Sequence, residues 1–163
     1  MTAAPQNKLR ILVLTDESLV PVRPRAELKG RDRELRKTEY DILSALKRLG
    51  HEASCIGLGE DLTVLARALR KQKPHVTFNL VEEHEGLPYF DQHVTGYLEL
   101  RKQKYTGCNP RGLMIARDKA LAKKVLAYHR IHVPKFAVVP PRKKVAAPKR
   151  LRFPLFVKPL TVE

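Results

Sequence analysis

Lys8-Leu9-Arg10-Ile11-Leu12-Val13-Leu14-Thr15, halted at Asp16, is the stretch that decides the fold. Its apolar run is short and does not alternate with polar residues, so it reads as a buried strand. Downstream, Asp16 to Arg36 holds Pro21, Pro24 and Gly30 and reads as a charged loop. Thr38-Glu39-Tyr40-Asp41 sets a hydroxyl and a carboxylate three apart and predicts a capped helix start. Ile42, Leu43, Leu46 and Leu49 share one face of that helix, which Gly50 stops. Glu52 to Leu58 predicts a second strand. Leu62, Leu65, Ala66 and Leu69 predict a second amphipathic helix ending before Pro74, and His75 to Val81 a third strand. Strand and helix alternate, which predicts an α/β fold built on a parallel sheet with helices on both faces. Ligands on such sheets sit beyond the C-terminal strand ends, so the loops after Leu14 and Leu80 are the places to look. Neither contains GxGxxG, and GxxxxGK[ST] is absent from the chain, which takes most of the support from dinucleotide and P-loop binding.

The whole chain has 163 residues, 43% of them apolar, enough for one domain or for one domain and the opening of another. No run approaches the roughly 18 apolar residues of a membrane span. Ile11 to Leu14 is too short for a signal peptide. Cys55 and Cys108 form no CxxC pair. A cytoplasmic location and no membrane partner are the expectations.

With 32 Lys and Arg against 17 Asp and Glu, the formal net charge is +15. The cations are scattered at positions such as Arg67, Arg70, Lys71 and Lys73, then gathered in Arg142-Lys143-Lys144 and Lys149-Arg150-Leu151-Arg152. No zinc-finger spacing, RNP-like motif or heptad accompanies them, and 6% aromatics without Trp offers little for base stacking. A solvated basic surface is the expectation, ahead of a nucleic-acid partner.

Farther along, Val94, Tyr97 and Leu98 mark a helix within Tyr89–Lys102, and Tyr105-Thr106-Gly107 is a brief extended piece. Arg117 to His129 predicts another helix, with Leu121, Val125 and Tyr128 inward. Phe136 to Val139 and Phe153 to Pro159 read as strands on either side of a Pro- and Lys-rich connection, Pro140 to Arg150. Two short strands with nothing to cover them would be marginal alone, so a fragment of a longer chain is expected.

Several of these pieces, in order over residues 9 to 160, carry a resemblance. They are Val76-Thr77-Phe78-Asn79-Leu80-Val81-Glu82-Glu83, Tyr97-Leu98-Glu99-Leu100, Tyr105-Thr106-Gly107, Asp118-Lys119-Ala120-Leu121-Ala122-Lys123 and Phe153-Pro154-Leu155-Phe156-Val157-Lys158-Pro159. Together with Gly50-His51-Glu52, they resemble the ATP-grasp superfamily, specifically its D-alanine–D-alanine ligase group. The resemblance implies a Rossmann-like N-terminal (pre-ATP-grasp) domain over 1–110. Residues 111–163 would then be the helix and first strands of an incomplete ATP-grasp central domain. It implies an ATP-dependent carboxylate–amine ligase working through an acyl phosphate, with ATP and Mg²⁺ as cofactors and an amino acid or other small carboxylate as substrate. The missing C-terminal half would be a partner in the complete enzyme, and dimerisation through the N-terminal domain is a family expectation.

The family's ATP-contacting lysines match Lys119 and Lys158, and an ammonium suits phosphate oxygens. Two departures concern the substrate side. Thr15-Asp16-Glu17-Ser18 stands where the ligases have Gly-Gly-x-Ser before a substrate-binding glutamate, and Glu34 and Glu39 are the nearby carboxylates. Glu82 stands where they carry a histidine, and it is the substrate-side candidate, as an ammonium contact or as part of a solvated loop. The Gly/Ser phosphate loop and the Mg²⁺ ligands would lie past Glu163. No catalytic residue or metal site is therefore assigned within the chain, and no activity of its own is expected. Glu82, Glu83, His84 and Glu85 are adjacent, which rarely suits one ion. His129 and His132 read as surface residues and the cysteines as apolar filler. The alternative is a non-enzymatic Rossmann-like binding module whose basic segment, Arg142 to Arg152, docks on nucleic acid or an acidic partner.

Overall fold

A computed structural model describes residues 7–21, 27, 29–143 and 151–161. The chain divides into two compact units, Met1–Pro110 and Arg111–Glu163. Unit one is built on β1 (Arg10–Asp16), β2 (Glu52–Leu58) and β3 (Val76–Asn79), a parallel sheet in the order β2-β1-β3. In the centre, β1 pairs Val13 with Cys55 on one side and with Phe78 on the other. Consecutive residues Ile11 to Thr15 are buried, as expected of a parallel strand covered on both faces. Its flanking helices are α1 (Gly30–Leu35), α2 (Lys37–Arg48), α3 (Thr63–Gln72) and α4 (Asp91–Leu100). The core joins Leu12, Leu14 and Leu58 of the sheet to Leu65 and Leu69 of α3 and Val94 and Leu98 of α4. Full burial of one such side chain is worth about 1.5–3 kcal/mol. Tyr105 adds a single parallel bridge to Thr77 at the outer edge of β3, which is the brief extended piece.

Unit two holds α5 (Pro110–Arg117), which starts on the last residue of unit one, and α6 (Lys119–Tyr128). Pro110 opens α5, where its missing N–H is no loss. Asp118, extended at φ −93 and ψ 98, separates the two helices and caps the second.

Several local expectations are corrected. The charged loop contains α1, whose end feeds α2 directly: Arg36 N–H bonds Asp32 O at 3.3 Å and Tyr40 N–H bonds Arg36 O at 3.2 Å. With α2 already under way at Lys37, Thr38 lies inside its first turn and the capping box does not form. Leu49 falls at the C-cap and is 55% exposed, while Ile42, Leu43 and Leu46 are half-buried. Tyr128, the last residue of α6, is 84% exposed and stands edge-on to His129, and Leu121 is 38% exposed. Neither Phe136–Val139 nor Phe153–Pro159 forms a strand, since no described strand offers it a ladder, and Phe156 is 95% exposed. Most of the Pro140–Arg150 connection and of the basic Arg142–Arg152 segment, and the chain's first six residues, lie outside the described residues.

Candidate functional site

The loop after β1 is a compact turn. Asp16 Oδ1 accepts from Ser18 N–H at 2.8 Å and from its hydroxyl at 2.6 Å, opening a one-turn 3-10 helix over Glu17–Leu19. Glu17 lies back over Gly57 and Gly59 at the end of β2, and a Cβ on either glycine would collide with it. Beneath this turn is a buried polar pair: Thr15, the penultimate residue of β1, donates from Oγ1 to Glu39 Oε1 at 3.3 Å. Glu39 is 4% exposed, and its Oε2 has no hydrogen-bond partner among the described residues. Arg36 Nε and Tyr40 Oη, from the same helix start, are likewise buried without one. Burial, and second to it the Glu39 charge, pushes the Cys55 thiol up to about 11. Cys55 is thus a protonated, unreactive thiol at neutral pH, whereas Cys108 is exposed.

Glu82 follows β3 on an exposed loop anchored at both ends. Leu80 N–H bonds Leu14 O at 2.8 Å, Val81 N–H bonds Asn79 Oδ1 at 3.3 Å, and Val81 itself is buried. Beyond Glu82, His84 and Leu87 exchange backbone bonds around a reversal at Glu85 and Gly86, both at positive φ. His84 Nε2 lies 3.8 Å from Glu85 Oε1, and its ring faces Phe90 at 6.5 Å between centroids. No group of three His, Cys, Asp or Glu among the described residues could hold a metal ion.

Lys119 is the first residue of α6. Asp118 accepts from Ala120 N–H at 2.9 Å and Leu121 N–H at 2.8 Å, while Lys119 N–H bonds Leu160 O at 3.2 Å. The first-turn amides are therefore occupied, and charge at this helix end comes from side chains. Half-buried Lys119 lines a cavity of about 200 Å³ with Leu113, Ala116, Arg117 and Thr161. Lys158 is exposed. It lies two residues before Leu160, so the Lys119–Leu160 bond keeps its backbone within about 7 Å of that contact at full extension. Glu82 belongs to unit one and the two lysines to unit two.

Glu39 is the residue that the sequence underweighted, and a signal for it existed. Glu39, Ile42, Leu43 and Leu46 fall at i, i+3, i+4 and i+7, so a carboxylate occupies the apolar stripe of α2. Glu34, the other nearby carboxylate, is exposed on α1.

No family model matches the chain. Among curated proteins it is 37% identical over 123 residues to the D-alanine–D-alanine ligase of Syntrophotalea carbinolica, covering 76% of this chain and 38% of that protein. It is 36% identical over 100 residues to the D-alanine–D-alanine ligase of Moorella thermoacetica, covering 61% of this chain and 30% of that protein. An uncharacterized protein of Sinorhizobium fredii, y4sG, is 32% identical over 123 residues, covering 72% of this chain and 36% of that one. Among solved structures, the D-alanine–D-alanine ligase of Bacillus anthracis complexed with ATP superimposes with a TM-score of 0.59 at 20% identity, over 85% of this chain and 42% of that one. These matches make the chain similar to the N-terminal part of ATP-grasp ligases. More narrowly, the chain is D-alanine–D-alanine ligase-like, and it corresponds to the N-terminal part of those enzymes. It spans less than two-fifths of the length of the curated relatives it matches.

Proposed function

We propose that this chain is the N-terminal part of an ATP-dependent carboxylate–amine ligase, in which unit one supplies substrate contacts and unit two two phosphate-binding lysines. The observation that carries the reading is the Lys119 N–H to Leu160 O bond, which ties the segment bearing Lys158 to the start of α6. The cavity beside it brings Arg117, Lys119 and Thr161 together. Such a set suits phosphate oxygens: a guanidinium forks onto them, an ammonium acts as a compact charge, and a hydroxyl donates. Lys119 and Lys158 would hold the phosphates of ATP and offset the charge that moves during phosphoryl transfer.

The described residues do not fit Mg²⁺. In unit two the only described carboxylate is Asp118, and it is occupied in capping α6. Ligands for that ion belong to the part of the enzyme past residue 163, and no step here runs through it.

On the substrate side, Glu39 and Glu82 are the residues we assign. Glu39 is held by Thr15 under the β1 loop, and Glu82 follows β3 in the same sheet. Both belong to the C-terminal side of a parallel sheet, where carboxylates would orient an ammonium-bearing substrate. The ligation runs through two displacements. A substrate carboxylate oxygen attacks the γ-phosphorus of ATP and releases ADP. The amine then attacks the acyl carbon, expelling phosphate, and loses a proton as the amide forms.

The test uses the full-length native protein with ATP, Mg²⁺ and a panel of amino acids, read as amino-acid-dependent ADP formation. Lys119→Ala and Lys158→Ala are expected each to weaken ATP binding by about tenfold or more, with the fold intact by circular dichroism. Unchanged ATP affinity in both variants would refute the assignment.

A further inference from the structure

Opposite ends of the unit-one sheet carry opposite charge. At the C-terminal strand ends stand Asp16-Glu17, Glu60-Asp61 and Glu82-Glu83. At the other end, where the helices run out, stand Lys47-Arg48 of α2, Arg70-Lys71 of α3 and Arg101-Lys102 just past α4, all exposed. Backbone and side-chain bonds fix these ends beside one another. Leu9 O accepts from Glu52 N–H at 2.8 Å, Arg10 O accepts from His75 N–H at 2.9 Å, and Gln103 Nε2 donates to Pro74 O at 3.3 Å.

Cations at helix C-termini complement the helix dipole, which accounts for one or two per helix. These six are two per helix, and the surplus lies in the cations around them. Arg10, Lys73 and Lys104 join the six, all exposed, while the opposing carboxylates of these segments are Glu52 and Glu99, the latter accepting from Tyr105 Oη at 2.9 Å. The Arg10 guanidinium is already held by Gln72 O and Lys73 O at 2.9–3.2 Å, so little freedom is left to lose on binding. Two leucines stand among these charges: Leu49, 55% exposed, follows Arg48, and Leu100, 83% exposed, precedes Arg101. No Phe, Tyr or Trp occurs in 47–52, 70–75 or 99–104, where the rings are those of His51 and His75.

We propose that this end of unit one docks on an anionic lipid surface. A phosphodiester backbone would use the cations alone: it leaves the two exposed leucines unused and finds no Phe, Tyr or Trp for stacking. A bilayer uses both features: its anionic headgroups draw the cations, and exposed leucines enter the headgroup–acyl boundary. One such signal alone gives only marginal, reversible binding, and stable attachment takes the two together. The acidic strand ends then turn away from the membrane by repulsion, which leaves the substrate loops open to solvent. No described helix is long and apolar enough to cross a membrane, which leaves surface contact as the mode.

The experiment is co-sedimentation of the chain with vesicles of phosphatidylcholine alone and of phosphatidylcholine with roughly one-third phosphatidylglycerol, at low salt and at about 0.15 M. Binding to the anionic vesicles only, weakened by salt, is the expected result. Arg101→Ala/Lys102→Ala should lower partition by about 25-fold at low salt, fivefold per cation. Leu49→Ser/Leu100→Ser should lower it by about tenfold and keep the salt dependence. Arg111→Ala/Lys124→Ala removes the same charge from unit two and should leave partition within about twofold. Circular dichroism establishes that each variant is folded. The proposal is overturned by no binding to anionic vesicles. It is equally overturned if the unit-two variant loses as much as the unit-one cation variant, if the leucine variant binds as wild type, or if a DNA duplex binds more tightly than the anionic vesicles.

Discussion

Glu39→Met is the perturbation that separates a structural carboxylate from one retained for a ligand. Glu39 makes one hydrogen bond, from Thr15 Oγ1 at 3.3 Å, long for a hydroxyl–oxygen bond and worth at most about 1 kcal/mol. Against it stands a buried carboxylate oxygen without a described partner, which costs about 1–3 kcal/mol, and more when charged. Methionine fills a similar volume with no polar atom to satisfy. Thr15 keeps a rotatable hydroxyl that can turn to a nearby carbonyl. The net expectation is a gain of about 1–2 kcal/mol, seen as a higher urea midpoint with an unchanged slope. A second readout comes from Cys55, whose thiol is pushed up to about 11 by burial first and by the Glu39 charge second. Removing that charge should bring the thiol down from about 11, while burial keeps it above its ordinary range. The two measurements answer jointly. A fall of more than about 1 kcal/mol in stability, with Cys55 unmoved, would refute the reasoning and make Glu39 a structural anchor.

Other outcomes follow from the same structure. Asp118→Ala removes the acceptor for two first-turn amides of α6 and should cost about 0.5–2 kcal/mol in thermal denaturation, with weaker ATP binding through Lys119. Leu98→Ala empties a fully buried position of the core and should cost about 2–5 kcal/mol by urea denaturation. An alkylating reagent at about pH 8 should modify Cys108 and spare Cys55 in the folded chain, read by peptide mass. The raised Cys55 thiol means the folded state holds its proton where the unfolded state has lost it. Stability present below the ordinary thiol range therefore declines as pH rises towards about 11, measured as a falling urea midpoint.

The sheet was legible because its signals are local. Ile11 to Leu14 is a short unbroken apolar run, which suits a strand covered on both sides, and Gly50 and Pro74 mark where the helices stop. Glu52–Leu58 forms as a strand over the span expected of it. Helix starts were harder. Thr38 and Asp41 have the spacing of a capping box, but α1 delivers the chain into α2 already helical, and that contact lies outside the local window. The sequence places Asp118 inside a helix that begins at Arg117 and shows none before it; in the structure Asp118 lies between α5 and α6, and its side chain caps the second. Phe153 to Pro159 has strand composition but depends on neighbours for its hydrogen bonds, and no described strand provides them. The site divides the same way. Lys119 and Lys158 came from a motif, whereas Glu39 needed the fold to show that a carboxylate on an apolar stripe is buried against Thr15.

The central claim, a ligase that activates a carboxylate as an acyl phosphate, is tested most directly by following oxygen. The full-length native protein is incubated with ATP, Mg²⁺, an amine and an amino acid whose carboxylate carries heavy oxygen, and the released phosphate is weighed by mass spectrometry. One heavy oxygen in the phosphate for each amide formed is the predicted result. Amide formation with unlabelled phosphate, or phosphate release without any dependence on the amino acid, would contradict it.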